Sequence, residues 1–488
     1  MSPAGPLVMV DIEGKRLDAA TADFLRTNRI RAVCLFRKNL GSEEEVRTLV
    51  AELRAVLGPH ALIALDQEGG SVVRATFLPQ APAAMALGAA GDEALARDVG
   101  AAVARGLRSL GVNWNFAPVL DINNNPANPV IAERSFGADA ATVTRLAGAW
   151  MRGALAEGVA CCVKHFPGHG DTHVDSHHAL PTVDKTMAEL EALELVPFRA
   201  LAHEAPALMT AHIVYPRIDA EHPATLSRPM LGGVLRERLH YDGVVITDAL
   251  MMKAVHERYG HARAAVLALA AGADMVLAQG RRDEQAAALA AIDEARTEGR
   301  LDGAALARST ARLDALAARF PSSSSADRTR ADDDRLMRAA WARGLCAVGG
   351  ARPPSLAAPL RVATQSRVDS DGVSEAGVAA RVVQQLFAAF ADVEFIAVDD
   401  LCAIGPLPDD ERTNVIVSNH RRRYPERLSA DLHVALWNPF QVLDIAAPAL
   451  VSWGHAEGAL AAVRGWLEGR AEAPGRAPVP LAPAGAPA

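Results

Sequence analysis

Short apolar segments alternate with longer amphipathic segments along the first two-thirds of the chain. Each apolar segment is continuous rather than alternating, which is typical of strands buried on both faces of a parallel sheet. The segments between them, such as 42–58 and 92–111, have the periodicity of helices with one apolar face, and Ser42 is placed to cap the first. The predicted strands lie at 7–12, 30–36, 61–66, 112–118, 159–165, 207–214, 243–248 and 273–278.

This repeat predicts an α/β fold in which eight strand–helix units close into a (β/α)8 TIM barrel over residues 1–320. A doubly wound open sheet is built from the same unit, so the pattern alone leaves it as an alternative. The number of repeats favours the closed barrel.

A second domain is predicted after the barrel. Residues 321–335 are rich in serine and charged residues, as expected of a linker. Strand-like and helical segments then alternate up to residue 475, which predicts a smaller αβα layer domain. The tail, 476–488, is rich in proline and alanine, and we expect it to be extended or disordered. The predicted strands of this domain are 360–365, 393–400, 414–420 and 432–439, with a helix over 374–391.

Composition excludes several classes of function. The net charge of −8 comes from mixed acidic and basic residues without a cationic stripe, so we expect no nucleic-acid partner. No apolar run is long enough for a membrane span, and the N-terminal segment lacks the basic region of a signal peptide. The five cysteines lack CxxC spacing, as suits a reducing compartment. We therefore expect a soluble, cytoplasmic protein without a cofactor. The sequence does not set the oligomeric state.

Polar residues stand where several predicted strands end. Asp66, the pair Lys164–His165, His212 and Asp248 all follow apolar strands. In a barrel of this kind the carboxyl ends of the strands face the mouth, where chemistry takes place. Asp248 directly follows an apolar strand, and it is therefore a candidate nucleophile or base. The alternative is that Asp248 caps the next helix.

The loop KHFPGHGDTHVDSHHALP (164–181) carries histidines at every fourth position. On a helix this spacing would place them on one face and indicate a zinc site. Pro167, Gly168 and Gly170 interrupt any helix here, so we expect no metal. A glycine-hinged loop that carries a proton-transfer group is the simpler interpretation.

Asp175 and His177 are the candidates for that proton transfer. They are two residues apart, which in an extended segment projects both side chains to the same side. A carboxylate on one ring nitrogen fixes the tautomer and raises the pKa of the imidazole, while the other nitrogen exchanges a proton.

Other charged residues are candidates for binding. Lys164 and His165 offer hydrogen bonds to hydroxyl or acetamido groups, and Arg134 offers a bidentate contact. An ion pair of Arg134 with Glu133 or Asp139 is the structural alternative. Arg74 follows Asp66 closely enough to reach the same mouth.

Taken together, six segments of the barrel region resemble glycoside hydrolase family 3, in particular its bacterial β-N-acetylhexosaminidase branch. They are ALDQEGGSVVR, NWNFAPVLDINNNPANPVIAERSFG, KHFPGHGDTHVDSHHALP, MTAHIVYPRID, PATLS and YDGVVITDALMM. The second domain resembles the family's C-terminal αβα layer more loosely, through WNPF and APALVSWGHAEGALAAVRGWLEG.

The resemblance implies a retaining mechanism and assigns roles. Asp248 matches the catalytic nucleophile, His177 the general acid/base and Asp175 its partner. The implied small-molecule substrate ends in N-acetylglucosamine and is a peptidoglycan fragment of cell-wall recycling. The positions that match binding of the terminal sugar are Asp66, Arg74, Arg134, Lys164 and His165.

Two other functions stay open at this point. An imidazole acid/base, unlike a carboxylate, would not repel phosphate, so a phosphorylase that uses the same residues is an alternative. A catalytically silent sugar-binding protein is the other, although Asp248, Asp175 and His177 are all present. The chain departs from the family's pattern at Ser71, where arginine is expected, and at Ala249, where a second acidic residue is common. No residue of the second domain stands out as part of the site.

Overall fold

The structure, a computed structural model, describes residues 2–176, 179–324, 329–370 and 374–481. All eight strands predicted for the first domain form, each shorter than or close to its predicted segment. They are β1 (Val8–Val10), β2 (Ala32–Cys34), β3 (Leu62–Leu65), β4 (Trp114–Asn115), β5 (Ala160–Phe166), β6 (Ala207–Thr210), β7 (Val244–Ile246) and β8 (Val276–Leu277).

These strands form one parallel sheet that closes on itself. Its order is β7-β6-β5-β4-β3-β2-β1-β8, and a parallel bridge between Ile246 and Met275 brings the two ends together. Strand β1 pairs with β2 on one side and with β8 on the other. The TIM barrel is therefore confirmed, and the open sheet is wrong. Val8, Met9 and Val10 are completely buried, which explains why the strands read as continuous apolar runs.

Helices surround the barrel. The helix Glu43–Leu57 begins as predicted, because Ser42 accepts a hydrogen bond from the Glu45 amide and the Glu45 carboxylate accepts one from the Ser42 amide. The other helices of this domain are Ala19–Thr27, Ala84–Ala90, Glu93–Leu110, Ala140–Ala156, Met187–Ala192, Leu195–Leu201, Lys253–Tyr259, His261–Ala271, Arg282–Thr297 and Gly303–Arg319, with a π-helix at Pro229–Arg238.

The second domain contains a six-stranded sheet with helices against it. Its strands are β9 (Cys346–Val348), β10 (Leu360–Gln365), β11 (Val393–Val398), β12 (Thr413–Ser418), β13 (Leu432–Ala435) and β14 (Ala449–Val451). The order is β9-β14-β13-β12-β10-β11, and only the β9–β14 pair is antiparallel. Its helices are Arg330–Gly344, Ala380–Gln385 and Glu457–Leu467.

The helices of the second domain differ in their bounds from the sequence pattern. The helix predicted over 374–391 is limited to Ala380–Gln385, because the preceding residues contact the barrel: the Glu375 amide donates to the Ser71 carbonyl. The helix Arg330–Gly344 begins inside the predicted linker. Its acidic residues are not all solvated, since Asp333 is buried and accepts two hydrogen bonds from the Arg105 guanidinium.

The two domains meet through a buried carboxylate. Glu133, with no exposed surface, follows β4 and accepts hydrogen bonds from Ser71 of the barrel and from Arg421 and Trp437 of the second domain. The start of the tail also lies on the barrel, where the Pro478 carbonyl accepts from the Ala138 amide. These contacts fix the second domain beside the barrel mouth. Within the described ranges, no helix has the length and apolar character that a membrane span requires.

Candidate active site

A cavity of about 400 Å3 opens at the carboxyl ends of the barrel strands. It brings together most of the residues that the sequence nominates for binding and catalysis. Asp175 instead lines a neighbouring cavity between the domains. His177 lies outside the described residues. The nominated residues that line the barrel-mouth cavity are Asp66, Arg74, Arg134, Lys164, His165 and Asp248.

Charged side chains at one wall of this cavity form a connected network. Lys164, almost fully buried at the end of β5, donates to Asp66 (2.8 Å) and lies 2.6 Å from a Glu68 oxygen. Arg134 makes a bidentate pair with Glu68 at 2.9 and 2.8 Å. Arg74 completes the network with a longer bond, 3.4 Å, to Asp66. The alternative pairing of Arg134 with Glu133 or Asp139 is therefore wrong, since its carboxylate partner is Glu68.

The network keeps its members ionised. Burial opposes the charge on Asp66, but Lys164 and Arg74 hold the pKa of this carboxyl below its ordinary value. Burial likewise opposes the charge on Glu68, and Arg134 and Lys164 bring the pKa of Glu68 far below its ordinary value. The pKa of Lys164 is raised in turn, because its two carboxylate partners outweigh burial. Asp66, Glu68 and Lys164 thus present fixed charges at the cavity wall.

His165 is held by a carboxylate that the sequence reasoning missed. Asp121, with no exposed surface, lies 2.6 Å from His165 Nδ1 and accepts from the amides of His165 and His169. Burial opposes the charge on Asp121, but the neighbouring His165 holds the pKa of the Asp121 carboxyl below its ordinary value. The Asp121 carboxylate accepts a hydrogen bond, which places the ring proton of His165 on Nδ1. The other ring nitrogen, Nε2, lies 3.5 Å from the Arg134 guanidinium.

Asp248 stands just after β7, partly exposed, at the cavity wall. The next helix begins at Lys253 and its N-cap is Met252, so the helix-capping alternative for Asp248 is wrong. The amide of Ala249 donates to one Asp248 oxygen at 2.8 Å. The backbone at Ala249 is also held by the buried His212 ring, which donates from Nε2 to the Ala249 carbonyl at 3.0 Å.

The described part of the loop after β5 is anchored by His169. Its ring contacts Thr172 and Ser176, two residues of the same loop, at 2.9 and 3.0 Å. Burial, with the neighbouring His165, lowers the pKa of His169 to about 4, so this ring is neutral at pH 7. His169 therefore has a structural role. Among the described residues, no three or more His, Cys, Asp or Glu side chains are grouped so that they could hold a metal ion.

The second domain reaches the barrel mouth, which the sequence reasoning did not foresee. Glu375 places its carboxylate 3.9 Å from Arg74 and 3.7 Å from Arg37. Burial raises the pKa of Glu375 above its ordinary value, and the two arginines oppose that rise. No local pattern marks this residue, because its position depends on how the domains pack.

Known proteins are similar to this chain in sequence and in fold. Residues 4–316 match the glycosyl hydrolase family 3 N terminal domain. A β-hexosaminidase from Chromobacterium violaceum is 41% identical over 300 residues, which are 59% of this chain and 83% of that protein.

Solved structures extend the likeness to the second domain. A glycoside hydrolase family 3 β-N-acetylglucosaminidase from Paenibacillus sp. str. FPU-7 is 32% identical with a TM-score of 0.84, and the match covers 98% of each chain. NagZ from Neisseria gonorrhoeae, solved with N-trifluoroacetyl-D-glucosamine, is 32% identical with a TM-score of 0.57 over 68% of this chain and 98% of its own. The chain belongs to glycosyl hydrolase family 3 and is a glycoside hydrolase.

Proposed function

We propose that the protein is a retaining β-N-acetylhexosaminidase that releases terminal N-acetylglucosamine from β-linked substrates. One observation carries the proposal: Asp248 and the charged network share a single cavity at the barrel mouth. The names of the relatives from Chromobacterium and Paenibacillus support the sugar specificity.

The network suits a sugar with several hydroxyl groups. The Asp66 carboxylate accepts hydrogen bonds from hydroxyl groups, whereas Lys164, Arg74 and Arg134 donate to hydroxyl and acetamido oxygens. Because each of these cations already contacts a carboxylate, Asp66 or Glu68, the side chains are held in place to orient an uncharged sugar. A cavity of about 400 Å3 is in the range expected for a small-molecule site.

In the proposed reaction the Asp248 carboxylate attacks the anomeric carbon, and the bond from that carbon to the glycosidic oxygen breaks. His177, protonated and oriented by Asp175, gives its proton to the departing oxygen. A glycosyl ester on Asp248 results. Water then attacks the anomeric carbon while neutral His177 takes its proton, which frees Asp248 and restores the β configuration.

We also propose that the natural substrate is a peptidoglycan fragment in which N-acetylglucosamine is β-1,4-linked to an anhydro-muramoyl sugar or its peptide. Cleavage would then belong to cytoplasmic cell-wall recycling. The likeness to NagZ solved with N-trifluoroacetyl-D-glucosamine supports the sugar.

The test uses the variant Asp248→Ala and two chromogenic substrates, an aryl β-N-acetylglucosaminide and the matching β-glucoside. We expect the wild type to prefer the first, and the variant to lose about 10³-fold or more of kcat/KM because no other group attacks the anomeric carbon. Retained activity would mean that another residue is the nucleophile. Product analysis with and without inorganic phosphate separates hydrolysis from phosphorolysis, and we expect free N-acetylglucosamine in both cases.

A further inference from the structure

The turn that carries Arg134 has a strained backbone. Arg134 is the last residue of the short 3-10 helix Ala132–Arg134, in which Ala132 has a φ of +40°. This conformation is disfavoured for a residue with a Cβ atom, so it persists only where surrounding contacts hold it. The position of the Arg134 guanidinium in the barrel-mouth cavity therefore depends on the contacts that this turn makes.

The side chain of Glu133, the middle residue of this turn, is its anchor. One oxygen of Glu133, Oε1, accepts hydrogen bonds from Ser71 (2.5 Å), Trp437 (2.8 Å) and Arg421 (3.0 Å). Among the described residues, Arg421 is the cation that pairs with this carboxylate. Because Glu133 has no exposed surface, its charge needs such a partner in place of water.

Arg421 also contacts the backbone that leads into the turn. Its guanidinium donates to the Val130 carbonyl at 2.9 Å. The Arg134 guanidinium donates to the same carbonyl oxygen at 3.0 Å. Two arginines, one from each domain, therefore share an acceptor. Loss of the Arg421 side chain would release both this carbonyl and the Glu133 carboxylate, on either side of the strained residue.

Arg421 is itself held in place by the second domain. The Asn438 side chain donates to the Arg421 carbonyl at 2.5 Å, and the Arg421 guanidinium lies 5.8 Å from the centroid of the Trp437 ring. The Arg421 side chain is almost completely buried. On the barrel side, the neutral hydroxyl of Ser71 contacts the same Glu133 oxygen. The compensating charge for Glu133 thus comes from the second domain.

We propose that Arg421 is a positioning residue for the glycosidase reaction, which holds the turn 132–134 so that Arg134 binds the terminal sugar. The inference rests on the proposed function, in which Arg134 donates to that sugar. Arg421 does not line the barrel-mouth cavity and acts through Glu133 and the Val130 carbonyl. The barrel of this chain thus receives part of its sugar-binding geometry from the second domain.

The test measures kcat and KM on the aryl β-N-acetylglucosaminide, and the inhibition constant of free N-acetylglucosamine. Arg421→Ala should raise KM and the inhibition constant about tenfold and change kcat less than about threefold, because binding of the terminal sugar is weakened. A purely structural role would reduce the amount of folded enzyme, and hence kcat alone. Arg421→Lys keeps a cation for Glu133 without the fork of N–H groups and should raise both constants about threefold.

The decisive comparison places Arg421→Ala in an Arg134→Ala background. If Arg421 acts through Arg134, its loss should change KM and the inhibition constant less than about twofold there. Arg421→Lys serves in the same comparison if Arg421→Ala does not fold. A full increase of both constants in the Arg134→Ala background would overturn the proposal, as would a loss of kcat alone in both Arg421 variants.

Arg105→Ala is the matched control. Arg105 also joins the barrel to the second domain through a buried carboxylate, Asp333, at 3.0 Å, but it does not line the barrel-mouth cavity. Its loss should leave KM and the inhibition constant unchanged, and an increase equal to that of Arg421→Ala would overturn the proposal. Failure of the wild type on the aryl substrate would instead refute the proposed function.

Discussion

The substitution Glu68→Gln tests the charged network most sharply, because Glu68 bridges Arg134 and Lys164 while almost completely buried. Removing one partner of a buried ion pair costs about 3–5 kcal/mol, since the remaining charge stays buried without compensation. Glutamine keeps one acceptor oxygen, so we expect a loss near the lower limit, about 3 kcal/mol in the free energy of unfolding. Binding of the sugar should weaken with it, because Arg134 and Lys164 lose their fixed positions.

The chain offers a control of the same geometry. Glu204 also makes a bidentate pair with an arginine, Arg152, at 2.7 and 2.8 Å, but both side chains are more than 40% exposed. Glu204→Gln should therefore cost less than about 1 kcal/mol. Denaturant unfolding and kcat/KM on the aryl substrate are measured for both variants. Equal, small losses of stability with full activity would refute the account of the network.

Two further predictions concern the histidines next to the cavity. Asp121→Asn should lower kcat/KM about 10- to 100-fold, because His165 loses the charged acceptor that sets its tautomer, and steady-state kinetics at pH 7 would measure the loss. The pKa of His169 is lowered from 6.5 to about 4, so the unfolded chain binds more protons between these values. His169 therefore contributes to stability fully above pH 6.5, and the contribution is lost as pH falls toward 4. Denaturant unfolding across this window should show a shallower pH dependence for His169→Gln, and an unchanged slope would count against a neutral, buried His169.

Much of the barrel could be predicted from the sequence because its signals are local. A strand buried on both faces reads as a continuous apolar run, and the residue after its carboxyl end faces the mouth. This reasoning located Asp66, Lys164, His165 and Asp248 without coordinates. Asp121 also follows an apolar run, so the same inspection of strand ends could have found it.

Other parts depend on contacts between distant segments, which no local pattern encodes. Glu375 lies at the barrel mouth because the second domain packs there, and the same contact limits the predicted helix 374–391. Residues 330–335 of the predicted linker are helical, because a polar composition does not distinguish a solvated segment from a helix. Asp333, counted as a linker residue, is buried in an ion pair with Arg105.

The central claim, that Asp248 forms a covalent bond to the sugar, is tested most directly by trapping the intermediate. An N-acetylglucosaminyl fluoride with a second fluorine at ring carbon 5 slows both steps and lets the glycosyl-enzyme accumulate. Peptide mass spectrometry of the inactivated protein should find the sugar on the peptide that contains Asp248, in ester linkage. Inactivation with the label on another carboxylate, or turnover without any covalent adduct, would contradict the account.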